Sequence, residues 1–115
     1  MSEEHLPLKT QWFHILLALS GGALHGSGIV RAVLEETHGK LRLWPATLYG
    51  SLEELADLGW IAEMGPEERP EGESEKKRIY AITPSGARLL RSEAERLAHL
   101  ATTALSRLAD DGAPA

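Results

Sequence analysis

The sequence predicts a mainly α fold of the α+β class, in which short helices carry a small hairpin and one long helix closes the chain. Three observations point there. First, within Trp44–Trp60, Leu48, Leu52 and Leu55 step by four and three onto one helix face. Pro45 suits the opening turn of that helix, where its missing N–H has no partner to lose. Gly59 supplies the left-handed conformation that closes it, about four turns later. Second, Trp60–Met64 and Lys76–Ile82 read as two strands on either side of a charged loop. Third, from Pro84 onward a heptad pattern runs to about Ala109. A short helix that feeds a hairpin is the layout of a winged helix-turn-helix. Read alone, Trp44–Trp60 fits a core helix with a solvated acidic face equally well.

Each element can be justified in chain order. Residues 1–7 read as an arm outside the core. Leu8, Trp12, Ile15, Leu16 and Leu19 form a helical stripe that Phe13 and Leu17 widen, so this helix is buried on more than one side. Ser20-Gly21-Gly22 ends it. His25-Gly26-Ser27-Gly28 reads as a turn and the N-terminus of a second helix, with Ser27 available as its cap. Ile29, Val30, Val33 and Leu34 form the buried stripe of that helix, and Gly39 is its expected C-cap. Leu41-Arg42-Leu43 alternates as a short strand does. The Pro45 helix comes third.

Residues 65–75 contain two Pro, two Gly and no apolar side chain, so they form a loop that can bury nothing. In the strand after it, Ile82, Tyr80 and Arg78 share one face, and Ile79 and Ala81 the other. Thr83-Pro84 is a helix start, Thr as N-cap and Pro at the first helical position. In the closing helix Leu90, Ala94, Leu97, Ala101, Ala104 and Leu108 step by 4, 3, 4, 3, 4. That seam outruns what one small core can cover, and a second copy across a two-fold axis is the simplest cover. The expected division is a winged-helix unit over 1–83 and a dimerisation helix with tail over 84–115.

Composition sets limits. The 115 residues suit one domain, and with no Cys there are neither disulfides nor thiolate metal sites. No apolar run approaches a membrane span, and the N-terminus lacks the basic region of a signal peptide, so a cytoplasmic protein is expected. A formal net charge of -5 argues against indiscriminate binding to polyanions. The five His have no metal-binding spacing, and no nucleophile–base pair, phosphate-cradling loop or paired carboxylate motif is present. Neither an enzyme nor a cofactor or metal site is expected.

The order of elements resembles that of PadR-like transcriptional regulators. The resemblance runs from about Leu8 to Leu108. It rests on Ile15–Leu19, on Leu24-His25-Gly26-Ser27-Gly28-Ile29-Val30, on Pro45-Ala46-Thr47-Leu48-Tyr49-Gly50-Ser51-Leu52 with Leu58-Gly59-Trp60-Ile61, and on Lys77-Arg78-Ile79-Tyr80-Ala81-Ile82-Thr83-Pro84-Ser85-Gly86. It implies a homodimeric winged-helix repressor that binds operator DNA and whose last helix forms the dimer. This chain differs from the family's usual pattern in Gly50, where Pro is frequent, in Glu53 and Glu54, where Lys or Arg is frequent, and in Trp44, which replaces a Ser or Asn cap.

On this reading the DNA-contacting residues are Ser27, Ala46, Thr47, Tyr49, Gly50 and Ser51 near the starts of helices two and three, with Lys76, Lys77 and Arg78 in the wing. The acidic residues Glu53, Glu54 and Asp57 should keep the C-terminal half of helix three away from phosphates. Trp12, Trp44 and Trp60 are read as core. The resemblance also implies a flat hydrophobic effector near the dimer interface, for which Trp12 is the candidate contact. The competing function is a winged-helix protein-interaction module with weak or lost DNA binding, which the acidic face would suit.

Overall fold

The computed structural model describes residues 5–65 and 78–110. The element order is α1 (Thr10–Leu19), β1 (Leu24–His25), α2 (Gly26–Glu36), α3 (Pro45–Asp57), β2 (Ile61–Glu63), β3 (Ile79–Ile82) and α4 (Pro84–Asp110). The strands form one antiparallel sheet in the order β1-β3-β2, with Leu24 opposite Tyr80 and Ile61 opposite Ile82. This is the mainly α winged helix that the sequence predicts.

The expected stripes become the core. Ile15, Leu16 and Leu19 of α1, Ile29 and Val33 of α2, and Leu48, Leu52 and Leu55 of α3 are all buried together with Trp60, Ile61 and Leu89. The first turns of α4 thus belong to the same apolar cluster as the other helices. Burial of this set supplies the main folding force, at about 25 cal/mol per Å² of apolar area.

Four local expectations change. The two-residue strand β1 falls where the sequence read as a turn, because Leu24 and His25 pair with the free edge of β3. Leu41-Arg42-Leu43 is no strand: it pairs with none of the three strands, and Leu43 is buried as an anchor. The cap of α2 is His25 rather than Ser27. Its Nδ1 accepts the Gly28 N–H at 3.3 Å and lies 2.8 Å from Ser27 Oγ. Residues 5–8 are no loose arm: the His5 ring meets Trp60 edge-on at 4.9 Å, Leu6 packs on the core and Leu8 is buried.

Glu93 was invisible as a core residue, yet it is only 2% exposed. It accepts the Leu8 N–H at 3.0 Å and receives Arg96 Nε at 2.6 Å on its other oxygen. The carboxylate therefore ties the chain ahead of α1 to α4. Arg96, then the Leu8 N–H, holds the Glu93 carboxyl below its ordinary range against the opposing effect of burial.

A second junction joins α3 to α4. Gly59, in the left-handed region at φ 82°, turns the chain from α3 into β2. Thr83 Oγ1 donates to the Gly59 carbonyl at 2.7 Å and accepts the Gly86 N–H at 3.0 Å, capping α4. The Thr83 N–H reaches the Trp60 carbonyl at 3.0 Å. Gly86 packs so closely on that carbonyl that a Cβ would collide with its oxygen and carbon. The Leu-Gly-Trp and Thr-Pro-x-Gly motifs are thus two halves of one contact.

Two predictions follow from these junctions. Gly86→Ala forces backbone apart and should cost about 2 kcal/mol or more, whereas Gly50→Ala, with open space around its Cα, should gain about 0.5–1 kcal/mol; urea midpoints read both. Because the folded Glu93 carboxyl titrates below its unfolded value, its contribution is complete above the ordinary glutamate value of 4.5 and is lost as pH falls through the lower folded value. Glu93→Gln should therefore lower the urea midpoint at pH 7 and flatten its decline towards pH 3.

Candidate nucleic-acid interface

Helix α3 presents two faces because its apolar residues recur at helical spacing. The inner face is core, and the outer face carries Ala46, Thr47, Tyr49, Gly50, Glu53 and Glu54, all exposed. Ser51 falls on the inner side and is 4% exposed, so it is removed as a surface contact. Its place follows from the helix turn: it stands three and four positions from Leu48 and Leu55, at the border between the core face and Thr47. Pro45 occupies the first turn, and Trp44 caps it without any side-chain bond.

Tyr49 is 53% exposed, and its hydroxyl lies against Gly26 at the start of α2. A Cβ on Gly26 would come within 2.8 Å of that oxygen. This close approach brings Tyr49, the N-terminus of α2 and exposed Ser27 to one side of the molecule. Ser27 retains its place beside that site, although its hydroxyl is engaged by His25.

The strands flank the other side of α3. Tyr49, Leu52, Glu53, Ala56, Asp57, Glu63, Arg78 and Tyr80 line a cleft of about 380 Å³ between helix and wing. Arg78 Nε lies 3.9 Å from Glu63 Oε2, and a hydrogen bond with Tyr80, then the Glu63 charge, holds the guanidinium above its ordinary range. Arg78 thus faces carboxylates as well as solvent, which its place in a cation cluster did not reveal. Lys76 and Lys77 lie outside the described residues.

Glu54 is also engaged. It accepts Trp12 Nε1 at 3.2 Å and lies 4.0 Å from Lys9 Nζ, which in turn sits 4.5 Å above the Trp12 ring. The Trp12 ring meets Trp60 at 5.7 Å. Trp12 therefore faces α3 and does not line the groove between α1 and α4. That groove, about 420 Å³, is formed by Phe13, Leu17, Leu90, Arg91, Ala94, Glu95 and Ala98. Its indole N–H is turned to the α3 carboxylate.

Trp44 differs from the core reading as well. It is 62% exposed, with the Arg42 guanidinium 4.8 Å from its ring centroid. Beyond the core, α4 exposes Leu97, Leu100, Leu105 and Leu108.

Residues 15–92 match the transcriptional regulator PadR-like family. The chain belongs to this family. Its kin are transcriptional regulators and not enzymes. A curated relative, an uncharacterized 37.1 kDa protein in a Streptomyces fradiae transposon, is 38% identical over 86 residues, or 75% of this chain. The PadR-like chain spans 22% of that protein's length. Bacillus subtilis PadR, solved in complex with operator DNA, matches at 26% identity and a TM-score of 0.61, over 73% of this chain and 46% of that one. A transcriptional regulator from Clostridium thermocellum shares the fold at 23% identity and a TM-score of 0.66, over 84% and 86% of the two chains. RosR of H. salinarum does so at 19% and 0.66, over 94% and 96%. Among the described residues, no helix is long and apolar enough to cross a membrane.

Proposed function

We propose that this PadR-like chain is a sequence-specific, DNA-binding repressor that acts as a homodimer. The observation that carries the reading is the exposed N-terminal half of α3, with Ala46, Thr47, Tyr49 and Gly50 beside the start of α2 and the wing on its flank. Small and hydroxyl-bearing side chains there suit base edges and phosphates in the major groove. The complex of Bacillus subtilis PadR with operator DNA supports the same use of this fold. Glu53, Asp57 and Glu63 favour a docking in which only the first turns of α3 approach the duplex, since carboxylates repel phosphates.

The uncovered seam of α4 supports the homodimer. Leu90, Ala94, Leu97, Ala101, Ala104 and Leu108 follow one stripe, of which Leu97 and Leu108 are plainly exposed. The groove of Phe13, Leu17, Leu90, Ala94 and Ala98 continues that stripe on to α1. The α4 helix of a second copy has the chemistry and the length, about 40 Å, to cover both. A protein-interaction module with little DNA affinity is the second reading, favoured by the carboxylates Glu53, Asp57 and Glu63 that line the cleft, the last of them paired with Arg78.

Binding of the full chain to DNA from upstream of its own gene, against competitor DNA, separates the two. Lys76→Ala with Lys77→Ala should weaken binding to all sequences and reduce the log–log salt slope by up to about two units per half-site. Thr47→Ala should alter operator preference more than slope. No binding by the unsubstituted protein would favour the second reading. For the dimer, light scattering at micromolar concentration should give twice the chain mass, and Leu97→Glu should reduce it to one, because an unpaired buried carboxylate costs several kcal/mol.

A further inference from the structure

The segment between α2 and α3 shows a feature that neither the core nor the dimer seam uses. Burial alternates over residues 41–44: Leu41 and Leu43 pack inward, and Arg42 and Trp44 are exposed. Alternation therefore sends Arg42 and Trp44 outward on the same side. There the guanidinium lies over the indole at 4.8 Å, within cation–π range. Trp44 is the most exposed of the three Trp: Trp60 is buried, and Trp12 is half-buried with its N–H satisfied.

A single exposed Trp needs no cover of its own, but this one carries a stacked cation. That charge indicates the chemistry the pair suits. The ion pairs of the described residues use Lys9, Arg78 and Arg96, and none involves Arg42. Among the described residues, then, the cation is stacked on the ring and paired with no carboxylate, which leaves it available to an external anion. Its place is immediately ahead of Pro45, Ala46 and Thr47, at the end of α3 that the proposed function turns towards DNA.

We propose that Arg42 and Trp44 form a phosphodeoxyribose clamp on double-stranded DNA. Arg42 contacts a backbone phosphate beside the groove that α3 enters, and Trp44 holds the guanidinium and covers the adjoining deoxyribose. This deepens the proposed function and rests on it. The clamp replaces the missing Ser or Asn cap with a contact that sets how deep the first turn of α3 sits, and it offsets the acidic character of the later turns. Stacking restricts the guanidinium before binding, so less freedom is lost when it meets the phosphate.

The test uses the full chain and a duplex from upstream of its own gene. Arg42→Ala should weaken binding about tenfold per half-site, as for loss of a charge-assisted hydrogen bond, and lower the salt slope by about one unit. Arg42→Lys should keep the slope and lose part of the affinity. Trp44→Ala should weaken binding roughly threefold and leave the slope nearly unchanged. DNA should protect Trp fluorescence from acrylamide in the unsubstituted protein but not in Trp44→Phe. If the unsubstituted protein binds this DNA and Arg42→Ala binds with the same affinity and slope, the clamp is wrong while the repressor reading stands. Protection of Trp44 in the DNA-free protein would overturn it too, since protein would then cover the ring. Failure of the unsubstituted protein to bind overturns both.

Discussion

The corner at which α3, the sheet and α4 meet is organised by one hydroxyl. Thr83 Oγ1 donates to the carbonyl of Gly59 and accepts the N–H of Gly86, so one side chain closes the end of α3 and opens α4. The close approach of Gly86 to the Trp60 carbonyl locks the same corner from the other side. Backbone cannot yield there as a side-chain tip would, because the hydrogen bonds of β2, β3 and α4 all converge on it. This corner joins the helix that carries Thr47 to the helix that carries the apolar seam. In the proposed homodimer, any uncertainty in how these helices meet would be magnified along α4 into the spacing of the two α3 helices.

Glu93 supplies the complementary restraint. It holds the Leu8 N–H and Arg96 at once, so α1 cannot slide along α4 without stranding a buried carboxylate. Unpairing such a group costs far more than a surface ion pair gains. Charge is distributed with the same economy. Glu54 is occupied by Trp12 and Lys9, and Glu63 by Arg78, which leaves Glu53 and Asp57 as the carboxylates of α3 without such a partner in the described ion pairs. The first turn of α3, by contrast, bears no acidic residue.

Much of the fold was legible because its signals are local. The bounds of α3 follow from Pro45 and Gly59, and those of α4 from Thr83-Pro84 and an unbroken heptad run. What escaped is non-local. Strand β1 exists only because β3 offers an edge to Leu24 and His25, and no two-residue pattern announces that. Leu41-Arg42-Leu43 does alternate, but a strand also needs a partner. Glu93 looked like one more surface acid, since its burial depends on an N–H 85 positions away. Of the candidate contacts, Thr47, Tyr49 and Gly50 were placed on the surface correctly by helical spacing, whereas Ser51 was drawn in by its hydroxyl although the same spacing puts it beside Leu48 and Leu55. Trp44 and Arg42 were passed over because Trp is read as core; the alternating Leu41 and Leu43 beside them held the signal that they point outward.

In the proposed homodimer, two copies joined through α4 set two α3 N-termini on one face of a duplex. Hydroxyl-radical footprinting of the full chain on DNA upstream of its own gene tests this most directly. The account predicts two protected patches on the same face, separated by about one helical turn or 34 Å, with Leu97→Glu erasing both together. A single patch that Leu97→Glu leaves intact, or uniform weak protection along the duplex, would contradict it.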